Sequence, residues 1–214
     1  MRASRYHGGD PLMMKSSAVW LCFFAALTAA SCSKVAPPLP NETAPATFSV
    51  VLDTTRGPVQ IEVTRADAPI GVDRFYNLVK ANYFDGARFF RVVPGYVVQF
   101  GIAADPAVTA KWNVPIKDDT RRVSNTRGTI AFAAASAPDT RTTQLFISLG
   151  NNQQLDAQNF AVFGKVVSGM DAVDHIYSGY GQKPDQTRIE KEGNAYLQQD
   201  FPSLDYIKTV RIGS

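Results

Sequence analysis

The sequence predicts a mainly β domain, a closed antiparallel barrel of eight strands capped by two helices, over residues 48–213. Three observations lead to this fold class. Short runs of alternating apolar and polar residues follow one another from residue 48, Gly, Pro, Asn and Asp separate these runs, and two segments have apolar residues at helical spacing. Short strands at turn-rich intervals are typical of barrels and sandwiches. A length of roughly 165 residues suits a single domain.

The first predicted elements are a hairpin and a helix. Two alternating runs, 48–55 and 58–65, flank an Arg-Gly turn and predict an antiparallel pair of strands. Apolar residues at helical spacing then predict a helix over 69–81, with Asp67 as its cap and a proline in its first turn. The apolar face of this helix is expected to cover the sheet.

The later elements are short strands, a second helix and a polar insert. Further strands are predicted at 88–93, 96–102, 129–134, 144–149, 160–167 and 206–212. A second helix is predicted from Met170. We term the polar segment 178–205 the insert. Apolar residues on one helical face behind Asp185 predict a short helix near 185–200, which would cover one edge of the barrel.

The first 31 residues are predicted to be an export signal. Between Lys15 and Lys34 lie 18 uncharged residues, and their apolar centre, residues 18–30, is only 13 residues long. Spanning the hydrocarbon of a bilayer takes about 20 apolar residues, which makes a transmembrane anchor the weaker alternative.

Cys32 follows three small residues, Ala29, Ala30 and Ser31, in an arrangement that resembles a bacterial lipobox. Ala29 stands where the lipobox usually has leucine. The resemblance implies a lipoprotein held by a lipid on Cys32 to the periplasmic side of a bacterial membrane. The alternative is a soluble periplasmic protein, cleaved near Ala30, in which Cys32 is a free thiol.

Residues 32–47 are predicted to be a flexible tether, because the stretch 33–47 contains four prolines and almost no bulky apolar side chains. Three of the 22 basic and one of the 19 acidic residues precede Cys32, so the formal charge falls from +3 for the whole chain to +1 from Cys32 onward. No run of five like charges occurs, so the sequence offers no electrostatic footprint for a nucleic acid.

The available side chains exclude several kinds of catalysis. The chain has two histidines and two cysteines, and one of each falls in the predicted signal. The remaining His175 and Cys32 cannot assemble a Ser/His/Asp or Cys/His nucleophile or a His/Cys zinc site. Neither a P-loop nor a GxGxxG after a strand is present, so no cofactor is predicted. Asp118 and Asp119 are expected to be solvated charges of a polar turn.

The most specific pattern is a strand bearing an arginine that leads through a Pro-Gly turn to an aromatic residue, a valine and a glutamine. It reads FFRVVPGYVVQF over residues 89–100. Two further blocks follow in order, RGTIAFA at 127–133 with TQLFI at 143–147, and Leu155-Asp156 with VFGKV at 162–166. These blocks resemble the cyclophilins, the peptidyl-prolyl cis-trans isomerases, whose first block reads F-H-R-[VI]-[VI]-P-G-F-x-x-Q-G. The likeness looks closest to the compact bacterial periplasmic branch.

The resemblance implies a catalytic residue and a peptide groove. It implies that Arg91 donates a hydrogen bond to the nitrogen of a twisted proline amide, and that Gln99 holds Arg91 and the substrate backbone in register. The residues implied to bind substrate are Phe90, Tyr96, Val97, Gln99, Ala133, Ala134, Gln144, Phe146, Leu155 and Phe160. The implied socket for the proline ring consists of Tyr96, Val97, Phe146 and Leu155. The two alanines are implied to meet the peptide through their main chain.

Three of the chain's departures from the family pattern place a phenylalanine where the family has histidine or glycine. Phe90 replaces the histidine beside the catalytic arginine, Phe100 replaces the first glycine after the glutamine, and Phe160 stands where many members carry histidine. These substitutions are expected to make the pocket more apolar.

The leading hypothesis is an isomerase that acts on X-Pro bonds of unfolded or partly folded exported proteins. It needs no cofactor and is expected to be a monomer, held to a membrane through Cys32. The first alternative is a non-catalytic proline-peptide binder that uses the same groove as a chaperone. The second is a lipoprotein that scaffolds an envelope complex through the insert.

Overall fold

Eight antiparallel strands form one sheet in residues 38–213, the part of the chain that the structure, a computed structural model, describes. The strands are β1 (Thr47–Thr54), β2 (Gly57–Thr64), β3 (Arg91–Val93), β4 (Val97–Phe100), β5 (Thr129–Phe132), β6 (Leu145–Ser148), β7 (Val162–Ser168) and β8 (Ile207–Ile212). Their order across the sheet is β3-β4-β6-β5-β7-β2-β1-β8. The predicted mainly β class and the eight antiparallel strands are confirmed. The predicted export signal and Cys32 lie outside the described residues.

The sheet is open, so the prediction of a closed barrel is wrong. Its edge strands are β3 and β8, which are not paired with each other; just before them, an isolated bridge between Arg88 and Tyr206 and backbone hydrogen bonds of residues 86–89 with Asp205 and Ile207 join the two ends. The physical reason is that the edge of β3 has another partner. The backbone N–H of Val92 donates to the carbonyl of Gly181 in the insert at 3.0 Å, so this donor is not available to β8.

Six α-helices and one short 3₁₀ helix, Arg65–Asp67, accompany the sheet within residues 38–213. The α-helices are α1 (Pro69–Lys80), α2 (Pro106–Trp112), α3 (Gln153–Ala157), α4 (Met170–Asp174), α5 (Gln186–Glu192) and α6 (Asn194–Asp200). The two predicted capping helices correspond to α1 and α4. In the same residues, no helix combines the length and the apolar character that crossing a membrane requires.

The helix predicted in the insert is two helices, because Gly193 breaks it. Gly193 has φ 59° and ψ −144°, a backbone conformation that residues with a Cβ rarely adopt. A Cβ at this position would also collide with the carbonyl oxygen of Ala104. Asp185 caps α5 as predicted, since its carboxylate accepts from the Arg188 N–H at 3.1 Å.

The cap of α1 comes from a distant residue. Asp67 makes no side-chain bond to the helix start, so that prediction is wrong. Instead the Asp119 carboxylate accepts from the N–H groups of Ile70 and Gly71 at 2.9 and 2.8 Å. Asp119 is only 5% exposed and pairs with Arg141 at 3.0 Å. It is therefore a buried structural anion that complements a helix N-terminus, rather than a solvated turn charge.

The segment before β1 is attached to α1. The side-chain amide of Asn77 exchanges hydrogen bonds with the backbone of Glu42, at 3.0 and 2.8 Å. The Asp73 carboxylate accepts from the N–H of Ala44 at 2.8 Å, and Ala44 is buried in the main core. The flexible tether predicted for residues 32–47 therefore does not include residues 42–47.

Buried apolar residues form three clusters. The main core joins one face of the sheet to α1 and α4 and holds the buried side chains of Phe75, Phe132 and Phe163. The insert core consists of Phe90, Ile102, Ile189, Tyr196, Leu197 and Leu204, with Tyr180 and Phe201 packed against it. The groove cluster consists of Val97, Ala131, Phe146 and Leu155, with Tyr96, Ala133 and Phe160 packed against it. The last cluster marks the candidate site.

Candidate active site

A cavity of about 450 Å³, which we term the groove, opens over the groove cluster. Of the residues that the sequence analysis placed at a substrate site, the structure brings ten together here. They are Arg91, Tyr96, Val97, Gln99, Ala133, Ala134, Gln144, Phe146, Leu155 and Phe160. The groove is thus lined by residues that lie far apart in the sequence.

Strand alternation explains why these side chains share one face. Successive residues of a strand point to opposite faces of the sheet. On β4, Val97 and Gln99 line the groove, whereas Val98 and Phe100 belong to the main core. The same alternation on β6 sends Phe146 to the groove and its two neighbours to the main core.

The register of the sheet places the polar and apolar parts of the groove in one row. Arg91 on β3 is paired with Gln99 on β4, and Gln99 is paired with Phe146 on β6. Phe146 is in turn paired with Ala131 on β5. Directly opposed residues of antiparallel strands have Cβ atoms about 4.5–5.5 Å apart. A cation, an amide and an aromatic ring therefore stand side by side across three adjacent strands.

Neutral amides on two sides hold the guanidinium of Arg91. Its Nη1 donates to Oε1 of Gln99 at 3.1 Å, and its Nε donates to Oε1 of Gln182 at 2.7 Å. Nε2 of Gln99 continues the chain by donating to Oε1 of Gln144 at 2.8 Å. A guanidinium has five N–H donors, and these bonds use two of them. The side chain is oriented while donors remain for a bound group.

The apolar end of the groove is a socket of buried side chains. Val97, Phe146 and Leu155 are 2%, 5% and 4% exposed. The ring of Phe160 packs edge-on against that of Phe146, with 5.6 Å between the centroids. The ring of Tyr96 lies at the other side, 5.8 Å from the Arg91 guanidinium carbon. The socket has the size and character to receive a small apolar ring.

A hydrogen-bond network fixes the loop and helix that carry Leu155. The Asp156 carboxylate accepts from both the backbone and the side-chain amide of Asn125, each at 2.8 Å. Burial on its own would raise the pKa of Asp156, but the hydrogen bonds from Asn125 outweigh it and hold this pKa below its usual value. Asn125 also donates to the carbonyl of Phe160 at 3.0 Å. It therefore holds Phe160 directly, and through Asp156 it holds the helix that carries Leu155.

Phe90 does not line the groove, so its prediction as a substrate-binding residue is wrong. It is 1% exposed and belongs to the insert core, where the side chains of Ile189 and Leu197 also lie. The physical reason is that neighbouring residues of an extended chain point in opposite directions. Because Arg91 faces the groove, Phe90 faces away from it.

The two alanines lie where the resemblance implied, at the groove. The N–H of Ala133 donates to the carbonyl of Gln144 at 2.9 Å, so this donor is used within the protein. Ala134 is partly exposed at the same rim.

The insert supplies three groove residues that the sequence analysis missed. Gln186 and Glu190 of α5 line the cavity, and Gln182 binds Arg91 from just before the helix. Burial raises the pKa of Glu190, and a hydrogen bond with Gln144 partly opposes that rise. The one sequence signal was the i, i+4 spacing of the two α5 residues, which places them on one helix face.

We call this side of the groove the insert wall, and the opposite side, formed by β3, β4 and β6, the strand wall. The strand wall offers a fixed hydrogen-bond donor beside an apolar socket. Such an arrangement can bind a small apolar ring and stabilise a hydrogen-bond acceptor next to it, without any proton being transferred.

Comparison with known proteins gives one family. Residues 49–194 match the family of the cyclophilin type peptidyl-prolyl cis-trans isomerase/CLD. A peptidyl-prolyl cis-trans isomerase of Acinetobacter baylyi is 39% identical over 132 residues, which are 59% of this chain and 70% of that one. Peptidyl-prolyl cis-trans isomerase B of Escherichia coli is 30% identical over 167 residues, 74% of this chain and 94% of that one.

Solved structures show the same fold. A cyclophilin type peptidyl-prolyl cis-trans isomerase of Cryptosporidium parvum superposes with a TM-score of 0.61 at 22% identity, covering 78% of this chain and 98% of that one. A crystal structure of that protein in the presence of the dipeptide Ala-Pro gives a TM-score of 0.60, at 22% identity and over 78% of this chain and 99% of that one.

Proposed function

Because the chain belongs to the family of cyclophilin-type peptidyl-prolyl cis-trans isomerases, we propose how its groove performs that reaction. The apolar socket receives the proline ring of an X-Pro bond, and Arg91 stabilises the amide while it twists. The observation that carries the proposal is the row in which Arg91, Gln99 and Phe146 are paired across three strands.

Isomerisation of an X-Pro bond requires few polar groups. The cis and trans forms of an X-Pro bond differ by only about 0.5–1 kcal/mol. Rotation between them must cross a barrier of about 18–20 kcal/mol, since the twisted amide loses its resonance. In that twisted state the proline nitrogen becomes pyramidal and can accept a hydrogen bond. A donor placed over the nitrogen therefore lowers the barrier without stabilising either planar form.

The guanidinium of Arg91 meets the two requirements for such a donor. It carries N–H groups beyond those bound to Gln99 and Gln182, and it lies one strand pair away from the socket. Its orientation is set before substrate arrives, and a preorganised donor in a partly dry site costs little reorganisation during the reaction. Gln99 acts by holding Arg91 and by linking it to Gln144.

Replacing Arg91 tests the proposal. We expect Arg91→Ala to lower kcat/KM for a short X-Pro peptide by about 10²- to 10³-fold, the usual effect of removing one transition-state donor. The matched control is Arg211→Ala, which removes an exposed arginine of β8 and leaves the groove untouched. Rates are measured by NMR exchange, so that no coupling protease is needed.

Equal rates for Arg91→Ala and the native protein would show that another group stabilises the twisted amide. Background rates for the native protein itself would instead favour the non-catalytic peptide binder.

We propose further that the clients are exported proteins and that a lipid on Cys32 holds the enzyme to the periplasmic side of a membrane. The support is the sequence of the first 34 residues, with its 18-residue uncharged stretch and the small residues before Cys32. Mass spectrometry of the Cys32 peptide from the membrane fraction should show a diacylglycerol adduct. An unmodified Cys32 in the soluble fraction would support the alternative of ordinary signal cleavage.

A further inference from the structure

The insert places a carboxylate inside the groove that the proposed mechanism does not use. Glu190 and Gln186 of α5 line the same cavity as Arg91 and Phe146. We propose that Glu190 forms an acidic subsite that selects X-Pro peptides carrying a lysine or arginine close to the proline. This inference rests on the proposed function, since it concerns the same groove.

The charges around the groove favour a cation as the ligand of the Glu190 carboxylate. Arg91 and Glu190 are the charged residues among those that line the cavity, and the partners of both are neutral glutamines. Within residues 38–213, Glu190 takes part in none of the ion pairs of the structure, whereas Glu192 of the same helix is paired with Arg188 at 2.8 Å. Glu190 is thus a partly buried carboxylate without a cation.

Such a carboxylate gains more from a bound cation than an exposed one does. Partial burial removes water from Glu190, and this desolvation is also what raises its pKa. A peptide ammonium or guanidinium placed beside it restores a charge-assisted hydrogen bond. An anionic peptide side chain would be repelled at the same place. The sign of the charge on the substrate should therefore change its binding.

Contacts of the preceding residue, Ile189, and of Asn194, just after α5, hold Glu190 in place. Ile189, its neighbour, is 1% exposed in the insert core. After the helix, the N–H of Asn194 donates to the carbonyl of Ala104, and its side-chain amide donates to the carbonyl of Gly86, both at 3.0 Å. The carboxylate is thus part of a preformed surface.

The test compares peptides of different charge on three proteins. A neutral reference peptide is compared with charged peptides. Each charged peptide carries a single lysine or a single glutamate, either directly before or directly after the proline. The proteins are the native enzyme, Glu190→Gln and the control Glu192→Gln. The control removes an exposed carboxylate two residues further along the same helix. The readout is kcat/KM from NMR exchange at low and high salt.

For the native enzyme, we expect the lysine peptide to exceed the matching glutamate peptide in kcat/KM by about three- to tenfold at one of these positions. The ratio should shrink at high salt because ions screen exposed parts of the pair. It should fall to about one in Glu190→Gln and remain unchanged in Glu192→Gln. A fourth protein, the charge reversal Glu190→Lys, should invert the ratio.

Three outcomes overturn the inference. Equal rates for lysine and glutamate peptides on the native enzyme, with the neutral peptide still accelerated, refute the subsite but leave the isomerase intact. An equal slowing of all peptides in Glu190→Gln shows that Glu190 only positions Gln144. A native enzyme that fails to accelerate even the neutral peptide refutes the proposed function itself.

Discussion

The two walls of the groove are built in different ways. The strand wall carries Arg91, Gln99 and Phe146 on three hydrogen-bonded strands, whose other face is sealed against the main core. The insert wall carries Gln182 and Glu190 on a turn and a seven-residue helix. It is supported by the separate insert core, by the backbone hydrogen bond from Val92 of β3 to Gly181, and by the one from Asn194 to Ala104.

In the proposed function, the strand wall carries out the reaction and the insert wall determines which substrates are preferred. A ladder of strands holds side chains in fixed register, which suits a donor whose position relative to a reacting nitrogen must be accurate to a fraction of an ångström. A helix on a small core tolerates changes of sequence without altering that register. Changes in the strand wall should therefore affect all substrates, whereas changes in the insert wall should first affect which substrates are preferred.

The largest expected effect concerns the insert core, against which the insert wall packs. Phe90→Ala removes a fully buried ring from the insert core and should lower the free energy of unfolding by about 3–5 kcal/mol. Denaturant unfolding measures this loss, and limited proteolysis should show faster cleavage within 178–205. The control Val167→Ala, at a 54% exposed position, should change stability by less than about 0.5 kcal/mol. A comparable loss in both variants would contradict a packed insert core.

The next effect concerns Arg91, which lies on the strand wall and is hydrogen-bonded to Gln182 of the insert wall. Arg91→Lys keeps a positive charge, but a single ammonium cannot reproduce the two bonds from Nη1 to Gln99 and from Nε to Gln182. We expect kcat/KM to fall by about ten- to hundredfold, or about 1.4–2.8 kcal/mol, with unchanged stability. The control is Arg211→Lys on β8. Native activity in Arg91→Lys would mean that charge alone is sufficient.

A smaller effect concerns the junction that ties the insert to the sheet. The Asp205 carboxylate accepts hydrogen bonds from Thr55, Arg56 and the N–H of Tyr177, each at 2.7 Å. Burial on its own would raise the pKa of Asp205, but the hydrogen bonds from these three residues outweigh it and hold the pKa below its usual value. At pH 7, Asp205→Asn should cost about 1–3 kcal/mol of unfolding free energy.

The pH dependence of that loss follows from the sign of the shift. A carboxyl group whose pKa is lowered by folding stabilises the protein above its unfolded pKa of about 3.9, and this contribution is lost as the pH falls through the folded value. The difference in unfolding free energy between the native protein and Asp205→Asn should thus have its full size at pH 7 and shrink below about pH 4. The partly exposed Asp53 offers the control Asp53→Asn, which should show little difference at either pH. A difference that persists at low pH would point to packing rather than charge.

The smallest effect concerns the contact between the walls. Gln182→Ala removes the bond to Nε of Arg91 and should lower kcat about two- to tenfold, with KM and stability nearly unchanged, because this charge-assisted bond is exposed and water can replace the amide oxygen as acceptor. Gln198→Ala, at an exposed position of α6, is the matched control. A rise in KM without a fall in kcat would show that Gln182 contacts substrate and does not position Arg91.

Local patterns in the sequence were sufficient for most of the strand wall. The resemblance predicted Val97 and Gln99 at the groove, and strand alternation explains why Val98 and Phe100 face the main core instead. The motif around Arg91 predicted the donor of the proposed mechanism, and the match of residues 49–194 confirms the family. These features depend on neighbouring residues, which is why they can be recognised along the chain.

Other features depend on contacts between residues far apart in the sequence. Asp119 caps α1 across 49 residues, where Asp67 had the right spacing but makes no such bond. Gln182 reaches Arg91 across 91 residues. Phe90 was expected in the groove because it adjoins Arg91, and only the position of the insert core shows that it faces the other way.

The sequence by itself predicted the antiparallel strands from their local periodicity, and its resemblance to the cyclophilins predicted the apolar socket and the arginine beside it. The tertiary structure decided that the sheet stays open, since the insert carbonyl of Gly181 occupies the edge of β3. It also decided that Glu190 lies in the groove. Both depend on how the insert docks on a distant edge of the sheet, through burial and hydrogen bonds between residues far apart in the sequence, which no local pattern specifies.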